Sequence, residues 1–212
     1  MLDFYTNPMS RGQIARWALH EAGAEYQQHL MSYDPSDENS IKSEAYLAIN
    51  PMGKLPAIAD DGKVITECAA ICAYLAERFP DSGLAPQDDS ERADYYRWLF
   101  YASGPLETAI TNKSMGFAPS DEQTRMAGYG NFEMVMDVLD GFLSSRDYVC
   151  GARFTMADVY LGSQVDWGMS FGTMEKRDSF IAYAERMRPR EAYKAAKAID
   201  GELIAKAQAA QS

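Results

Sequence analysis

Apolar positions follow two different patterns along the chain, and the change comes near residue 80. Before it, short apolar runs alternate with segments of helical periodicity, which predicts the element order β-α-β-α-β-β-α. Predicted strands cover residues 2–5, 26–31, 57–59 and 64–65, and predicted helices cover residues 11–22, 41–49 and 67–79. The opening strand, helix and strand imply a parallel pair joined by a right-handed crossover. We therefore expect an α/β domain over residues 1–79.

Beyond this domain the strand signals nearly vanish. Residues 80–88 contain two prolines and a glycine without periodicity, which is typical of a linker between domains. Helices are predicted for residues 90–115, 121–143, 155–169, 179–187 and 191–209. Gly104-Pro105 interrupts the first of them and predicts a kink there. The expected second domain, residues 89–212, is all-α.

The net charge and the composition argue against several classes of binding partner. The net charge of −11 repels nucleic acid and anionic membranes, and no apolar run is long enough to span a bilayer. Three cysteines without a Cys-x-x-Cys pair and two histidines offer little for a metal site. The first residues also lack the basic and apolar segments of a secretory signal. We expect a cytoplasmic protein without metal, nucleic-acid or membrane partners.

The stretch Asn50-Pro51-Met52-Gly53-Lys54-Leu55-Pro56 predicts a tight loop that leads into a strand. A cis peptide bond before Pro56 would turn the Leu55 backbone away from the sheet, where it could pair with an extended ligand. An ordinary edge-strand proline is the alternative. The helix that starts at Glu67-Cys68 offers N–H groups and a positive dipole end to a carboxylate or phosphate. Capping by Thr66 or Glu67 is the alternative there.

Ser10 lies after a strand and at the first turn of the first predicted helix. A hydroxyl in this position can donate a hydrogen bond to an anion, which the helix dipole also favours. A simple N-cap is the alternative, and neither histidine is placed for a serine-nucleophile triad. Tyr5, Thr6 and Asn7 are weaker candidate donors nearby.

Two features of the second domain have mainly structural interpretations. Thr155 and Asp158 have the spacing of a capping box, with Asp in place of Glu, and predict a buried helix start. Several aromatic and methionine side chains are expected to form core, with some lining a pocket. They are Tyr95, Tyr96, Trp98, Phe100, Tyr101, Met115, Phe117, Trp167 and Phe171.

Together these motifs resemble the glutathione S-transferase family over nearly the whole chain. Asn50-Pro51-x-Gly53-Lys54-Leu55-Pro56 is similar to the family's loop before a cis-proline, and Glu67-Cys68-x-x-Ile71 to its Glu-Ser-x-x-Ile helix. Phe154-Thr155-x-Ala157-Asp158 is similar to its helix cap. The resemblance implies a thioredoxin-like domain, an all-helical domain with the electrophile-binding pocket, a homodimer, and glutathione as cosubstrate.

The resemblance also assigns roles to single residues. Leu55 would bond the cysteinyl backbone of glutathione with Pro56 cis, and Glu67 and Cys68 would hold the γ-glutamyl end. Lys54 is expected to reach the glycyl carboxylate. Ser10 matches the hydroxyl that stabilises the thiolate in serine-type members. Cys68 departs from the pattern, because a weak S–H donor replaces the usual serine hydroxyl.

The resulting function is a glutathione transferase that activates the glutathione thiol for attack on small hydrophobic electrophiles, with a role in detoxification. One alternative is glutathione-dependent peroxide or disulfide reduction, with Thr6 and Asn7 sharing the sulfur site. Another is a non-catalytic binding protein on the same fold, which the Cys68 departure favours. The sequence does not name the electrophile.

Overall fold

The computed structural model describes residues 1–209, which form two compact units. The first unit contains Met1–Gly83 together with the chain from Pro189 onward, and the second is Leu84–Arg188. An α/β unit and a helical unit confirm the predicted fold class. Within residues 1–209, no helix combines the length and apolar character needed to cross a membrane.

The first unit follows the predicted element order. Its strands and helices are β1 (Leu2–Thr6), α1 (Gly12–Glu21), β2 (Tyr26–Leu30), α2 (Glu44–Ile49), β3 (Ala57–Asp60), β4 (Lys63–Ile65) and α3 (Cys68–Arg78). α1 forms because Ile14, Trp17, Ala18 and Leu19 give it a buried face, as the periodicity predicts. A short 3₁₀ helix, Pro80–Ser82, follows α3.

The sheet is mixed, with strand order β2-β1-β3-β4. β1 pairs in parallel with β2, as predicted from the strand–helix–strand opening, and antiparallel with β3. Strand alternation buries Leu2, Phe4 and Thr6 on one face of β1 and leaves Tyr5 half-buried on the other. The central strand therefore ends at Thr6, directly before the loop that carries Ser10.

The hairpin between β3 and β4 turns at Asp61-Gly62, a dipeptide that is typical of tight hairpin turns. Asp60 pairs with Lys63, so Asp61 and Gly62 are the two loop residues, and both have positive φ. This is the geometry of the tight turns that suit the twist of a hairpin. Asp60 is buried and accepts hydrogen bonds from Tyr74 and Arg78 of α3, which fastens the hairpin to that helix.

The second unit is helical. Its helices are α4 (Asp89–Tyr101), α5 (Glu107–Ser114), α6 (Asp121–Thr124), α7 (Phe132–Leu143), α8 (Met156–Ser170) and α9 (Asp178–Met187). α4 continues into α5 through a π-helical turn, Ala102–Leu106, that contains Pro105, so the predicted interruption of the helix is present. The buried side chains Tyr95, Trp98, Leu139 and Tyr183 belong to its core.

The single helix predicted over residues 121–143 is wrong. The chain instead forms the short α6 and then α7, with Gly128 and Gly130 between them. Asn131 starts α7, because its side chain accepts a hydrogen bond from the Met134 N–H at 2.8 Å. A new helix start at a strong N-cap residue therefore overrides the continuous helical periodicity.

The start of α8 is a capping box built around one buried carboxylate. Asp158 accepts from the N–H and the hydroxyl of Thr155 at 2.7 and 3.0 Å. It also accepts from the Val149 N–H at 2.7 Å and from the Tyr183 hydroxyl at 2.8 Å. Burial raises the pKa of Asp158 to about 6, against the effect of these four donors. The predicted cap therefore also connects three segments of the unit, which contain Val149, Thr155 and Tyr183.

The last helix, α10 (Glu191–Ala209), lies in the first unit and not in the helical one expected from the sequence. Residues 210–212 of that expected domain lie outside the described residues. Polar contacts with α1 explain the placement: Arg16 pairs with Asp200 at 3.0 Å, and Arg190 forms two hydrogen bonds to Glu21 at 2.6 and 2.7 Å. Both Arg16 and Asp200 are buried.

Candidate active site

Ser10 lies in the short loop between β1 and α1, and its hydroxyl has two partners. Its Oγ donates to the Asn7 carbonyl at 2.7 Å and accepts from the Gly12 N–H at 2.9 Å. The N-cap position itself is taken by Arg11, whose side chain makes no cap hydrogen bond. Ser10 therefore satisfies an N–H of the first turn, and the first turn of α1 contains no acidic residue to neutralise its positive end.

The three residues before this loop have different surroundings. Thr6 is fully buried and its Oγ1 has no hydrogen-bond partner in residues 1–209. The Asn7 side chain donates to the Met31 carbonyl at 2.8 Å and accepts from the Met9 N–H at 2.9 Å. Tyr5 stacks on His29 on the other face of the sheet. Asn7 therefore holds the loop through both ends of its side-chain amide.

Gly12 is required by the close approach of this loop to β1. A Cβ at position 12 would lie 2.0 Å from Thr6 Oγ1 and 2.9 Å from Ser10 Oγ. The two hydroxyls therefore lie within about 5 Å of each other, on either side of a position that only glycine fits. This packing fixes Ser10 relative to the end of the central strand.

The loop before β3 is held by a side chain that sequence reasoning missed. The Tyr46 hydroxyl donates to the Lys54 carbonyl at 2.6 Å, and Asn50 Nδ2 donates to the same oxygen at 2.9 Å. Burial raises the pKa of Tyr46 to about 12, which keeps this hydroxyl protonated as a donor. The Lys54 side chain itself is exposed.

Leu55 follows this loop and lies outside the strand ladder. The peptide bond between Leu55 and Pro56 is cis. Pairing between β1 and β3 begins with Tyr5 opposite Ala57, so the Leu55 backbone is beyond the last paired residue. Its position is next to the end of β1, where the Ser10 loop begins.

Glu67 has an unusual backbone conformation at the start of α3. Its φ of 62° and ψ of 115° are sparsely populated for a residue with a side chain. The Glu67 side chain is exposed and makes no cap hydrogen bond, so it is not the conventional helix cap considered from the sequence. A strained, non-capping residue at a helix start is typical of a ligand site.

Cys68, the first residue of α3, contacts the loop that carries Ser10. Its side chain is buried at 7% exposure, and its Sγ donates to the Arg11 carbonyl at 3.7 Å. Arg11 is the neighbour of Ser10 in sequence. The structure therefore brings Ser10 and Cys68 to one part of the first unit, with Leu55 at the adjacent strand end.

In the helical unit the aromatic candidates separate by exposure. Tyr95 and Trp98 are buried core residues, whereas Phe100, Met115, Phe117 and Phe171 are exposed. A cleft of about 230 Å³ near the end of α8 is lined by Met169, Ser170, Lys176, Ile181 and Arg188. The expectation of core therefore holds for Tyr95 and Trp98, and the four exposed side chains lie outside the core.

Comparisons with known proteins point to one family. The family described as glutathione S-transferase, N-terminal domain, matches residues 9–78. Glutathione S-transferase GstA of Escherichia coli O157:H7 is 30% identical over 186 residues, which cover 86% of this chain and 90% of that protein. Protein LigF of Sphingobium sp. is 43% identical in an alignment that covers 83% of this chain and 84% of that protein.

A solved structure extends the agreement to the fold. The sphingomonad glutathione S-transferase, whose structure is a complex with glutathione, is 30% identical and superposes with a TM-score of 0.71. The match covers 94% of this chain and 98% of that one. It supports the assignment of a thioredoxin-like domain and an all-α domain. With these relatives, the chain belongs to the glutathione S-transferase family and is a transferase enzyme.

Proposed function

We propose that this enzyme activates the thiol of glutathione, through the Ser10 hydroxyl, for attack on small hydrophobic electrophiles. The observation that carries the proposal is the position of Ser10. Its hydroxyl lies at the positive end of α1, and Cys68 at the start of α3 contacts the next residue, Arg11. A thiolate placed here would meet a hydroxyl donor and the helix dipole together.

The energy that this activation needs is modest. A free thiol has a pKa of about 8.5, so little of it is thiolate at neutral pH. Lowering that pKa by about 2 takes roughly 2.7 kcal/mol of selective thiolate stabilisation. A hydrogen bond to a charged acceptor contributes about 1.5–3 kcal/mol, and a helix terminus adds about 0.3–1 kcal/mol.

The Ser10 hydroxyl has a single proton, which the structure directs at the Asn7 carbonyl. Donation to sulfur therefore requires rotation of the hydroxyl away from Asn7. The hydrogen bond from the Gly12 N–H remains, and it polarises the hydroxyl and strengthens its donation. Asn7 keeps its side-chain contacts to Met31 and Met9, so the loop need not move.

Binding of the tripeptide is assigned to the residues around this hydroxyl. Leu55 would pair its backbone with the cysteinyl residue, since it lies beyond the β1–β3 ladder. Glu67 would accept a hydrogen bond from the γ-glutamyl amine, and the start of α3 at Cys68 would hold the γ-glutamyl carboxylate. The exposed Lys54 would meet the glycyl carboxylate, with its backbone fixed by Tyr46 and Asn50.

An activity assay tests the proposal directly. We expect the purified protein to conjugate glutathione to a chlorodinitrobenzene and to gain thermal stability with millimolar glutathione, because a ligand that binds the folded state stabilises it. The same preparation should reduce a small disulfide with glutathione more slowly than it conjugates the chlorodinitrobenzene. Absence of both conjugation and a thermal shift would support a non-catalytic protein, and faster disulfide reduction would support a reductase.

The departure at Cys68 predicts a measurable effect on glutathione affinity. In Cys68→Ser a hydroxyl replaces the weak S–H donor, and we expect the Kd for glutathione to fall by about 2- to 10-fold, the range of one ordinary hydrogen bond. Calorimetric titration measures this change. Cys72→Ser, on the buried side of the same helix, is the matched control and should leave the Kd unchanged. An unchanged or weaker Kd in Cys68→Ser would contradict the assignment of this position to glutathione.

The proposal also covers the cellular compartment, the oligomeric state and the physiological role of the enzyme. Cys68, Cys72 and Cys150 are free thiols, which supports a reducing, cytoplasmic location. Membership of the glutathione S-transferase family, in which dimers are typical, supports a homodimer. With small hydrophobic electrophiles as substrates, the physiological role would be detoxification.

A further inference from the structure

Gln13 connects two parts of the first unit through both ends of its side-chain amide. Its Nε2 donates to the Pro8 carbonyl at 2.6 Å, and its Oε1 accepts from Lys197 Nζ of α10 at 2.9 Å. The side chain is half-buried. An amide that uses its donor and its acceptor in this way has a defined orientation, because a flip would place NH₂ against the ammonium group.

The Pro8 carbonyl belongs to the loop that carries Ser10. The other contacts of this loop are local or lie at its two ends. Asn7 bonds Met31, Ser10 bonds Asn7 and Gly12, and the Arg11 carbonyl accepts from Cys68 Sγ. The middle of the loop is therefore held by the Gln13 side chain. A shift of this carbonyl would carry the Ser10 hydroxyl with it, since only Met9 separates the two residues.

Lys197 is itself held in place by the packing of α10 on α1. Its ammonium group lies 5.6 Å from the centre of the Tyr193 ring, and Tyr193 packs edge-on against Trp17 of α1 at 5.0 Å. The buried Arg16–Asp200 pair fixes the next turn of α10. The helix thus presents Lys197 to Gln13 from a rigid support.

We infer that Gln13 is a positioning residue for the Ser10 hydroxyl and that Lys197 of α10 holds Gln13 in its working orientation. The inference rests on the proposed function, because it assigns Gln13 an effect through Ser10. Gln13 sets where the hydroxyl is, and Ser10 interacts with the thiolate. Misplacement of a reacting group by about 1 Å can cost up to 10²-fold in rate, so loss of one support has a measurable effect.

Substitutions at position 13 test the contacts of the amide nitrogen and the amide oxygen. Gln13→Leu removes both contacts, and we expect kcat for conjugation to fall about 5- to 10-fold with KM for glutathione nearly unchanged. The apparent pKa of the kcat/KM profile should rise, because the thiolate loses part of its donor. Gln13→Glu keeps an acceptor for Lys197 but places a carboxylate against the Pro8 carbonyl. It should be impaired like Gln13→Leu if the loop contact matters, and an activity equal to wild type would overturn the inference.

A double-mutant cycle with Ser10→Ala separates this inference from the proposed function. If Gln13 acts through Ser10, Gln13→Leu should have no further effect in the Ser10→Ala background. Additive losses would overturn the positioning role and leave the role of Ser10 intact. A Ser10→Ala variant with wild-type activity would instead overturn the proposed function itself.

The contribution of α10 is tested at Lys197. We expect Lys197→Met to reproduce the rise in the apparent pKa of kcat/KM with a smaller loss of kcat, and Lys197→Arg to restore both. Lys194→Met is the matched control, because Lys194 lies on the same helix but pairs with the exposed Glu191 at 2.8 Å and not with Gln13. If Lys197→Met has wild-type kinetics while Gln13→Leu is impaired, Lys197 of α10 does not hold Gln13 in its working orientation. Thermal melting of each variant checks that the fold is retained.

Discussion

Alanine at position 10 is expected to lower kcat/KM for glutathione conjugation by about 10- to 100-fold at pH 7. The reason is the loss of one hydrogen bond to a charged acceptor, which contributes about 1.5–3 kcal/mol. Part of that gain is offset in the wild type, because the hydroxyl gives up its 2.7 Å contact with the Asn7 carbonyl. Steady-state kinetics of conjugation measure the loss.

The pH dependence distinguishes thiolate stabilisation from any other role of this serine. The apparent pKa in the kcat/KM profile should rise in Ser10→Ala toward about 8.5, the value of a free thiol. Above that pH the thiolate forms without help, so the variant should approach the wild-type rate. A loss of equal size at every pH would contradict the proposed role of Ser10.

Two measurements distinguish a loss of catalysis in Ser10→Ala from a loss of stability. Ser10 also accepts from the Gly12 N–H, so its replacement should cost about 1 kcal/mol of stability, the cost of a lost helix cap. Thermal melting quantifies that cost. Ser114→Ala is the matched control, because the Ser114 hydroxyl donates to the Ile110 carbonyl on an exposed helix face and its loss should not affect kinetics.

The largest stability effect is expected at Asp158 in the cap of α8. Asp158→Ala leaves four donors without their acceptor: two backbone N–H groups and the hydroxyls of Thr155 and Tyr183. Each buried unsatisfied group costs about 1–3 kcal/mol, and the total after relaxation should be about 3–5 kcal/mol. For a chain of this size that lowers the Tm by roughly 10 °C, which scanning calorimetry detects.

Asp158→Asn adds a pH test of the same carboxyl. Burial raises the pKa of Asp158 to about 6 in the folded state, from 3.8 when exposed. Between these values the folded state binds the extra proton, so the contribution of Asp158 to the free energy of unfolding falls as pH rises, by at most about 1.4 kcal/mol per pH unit. Asparagine does not titrate. The destabilisation caused by Asp158→Asn should therefore be larger at pH 5 than at pH 7.

The control for both substitutions is Asp178→Asn. Asp178 occupies the first turn of α9, as Asp158 does in α8, but its side chain is exposed. We expect its replacement to change the free energy of unfolding by less than about 0.5 kcal/mol at either pH. Equal effects at positions 158 and 178 would show that helix-start charge, and not the buried network, explains the stability.

Local chemistry explains why much of the fold was predictable from the sequence. The period of the apolar residues predicted the strands and α1, Gly104-Pro105 predicted the interruption after α4, and the Thr155–Asp158 spacing predicted the cap of α8. The break before α7 was not predicted, because apolar periodicity continued across it while Asn131 started a new helix. A competing cap is a local signal that a purely periodic interpretation overlooks.

The candidate site was predictable at the residues that have local motifs and not at those that support them. Ser10, Leu55, Glu67 and Cys68 were identified from the turn, the proline and the helix start. Tyr46 was missed, because its hydroxyl reaches the Lys54 carbonyl from a different element. Gln13 was missed for a similar reason, since its partner Lys197 is 184 positions away. Contacts of this range leave no periodic signal in one sequence.

The pairing of Arg16 with Asp200 constrains how the chain can reach its final state on the ribosome. Arg16 is made early, yet its buried counter-ion is 184 positions later, after the entire helical unit. An unpaired guanidinium is costly to bury, so the first unit stays incomplete until α10 has been synthesised. Translation order and folding order therefore differ for these two units: the α/β unit starts before the helical unit and is completed after it.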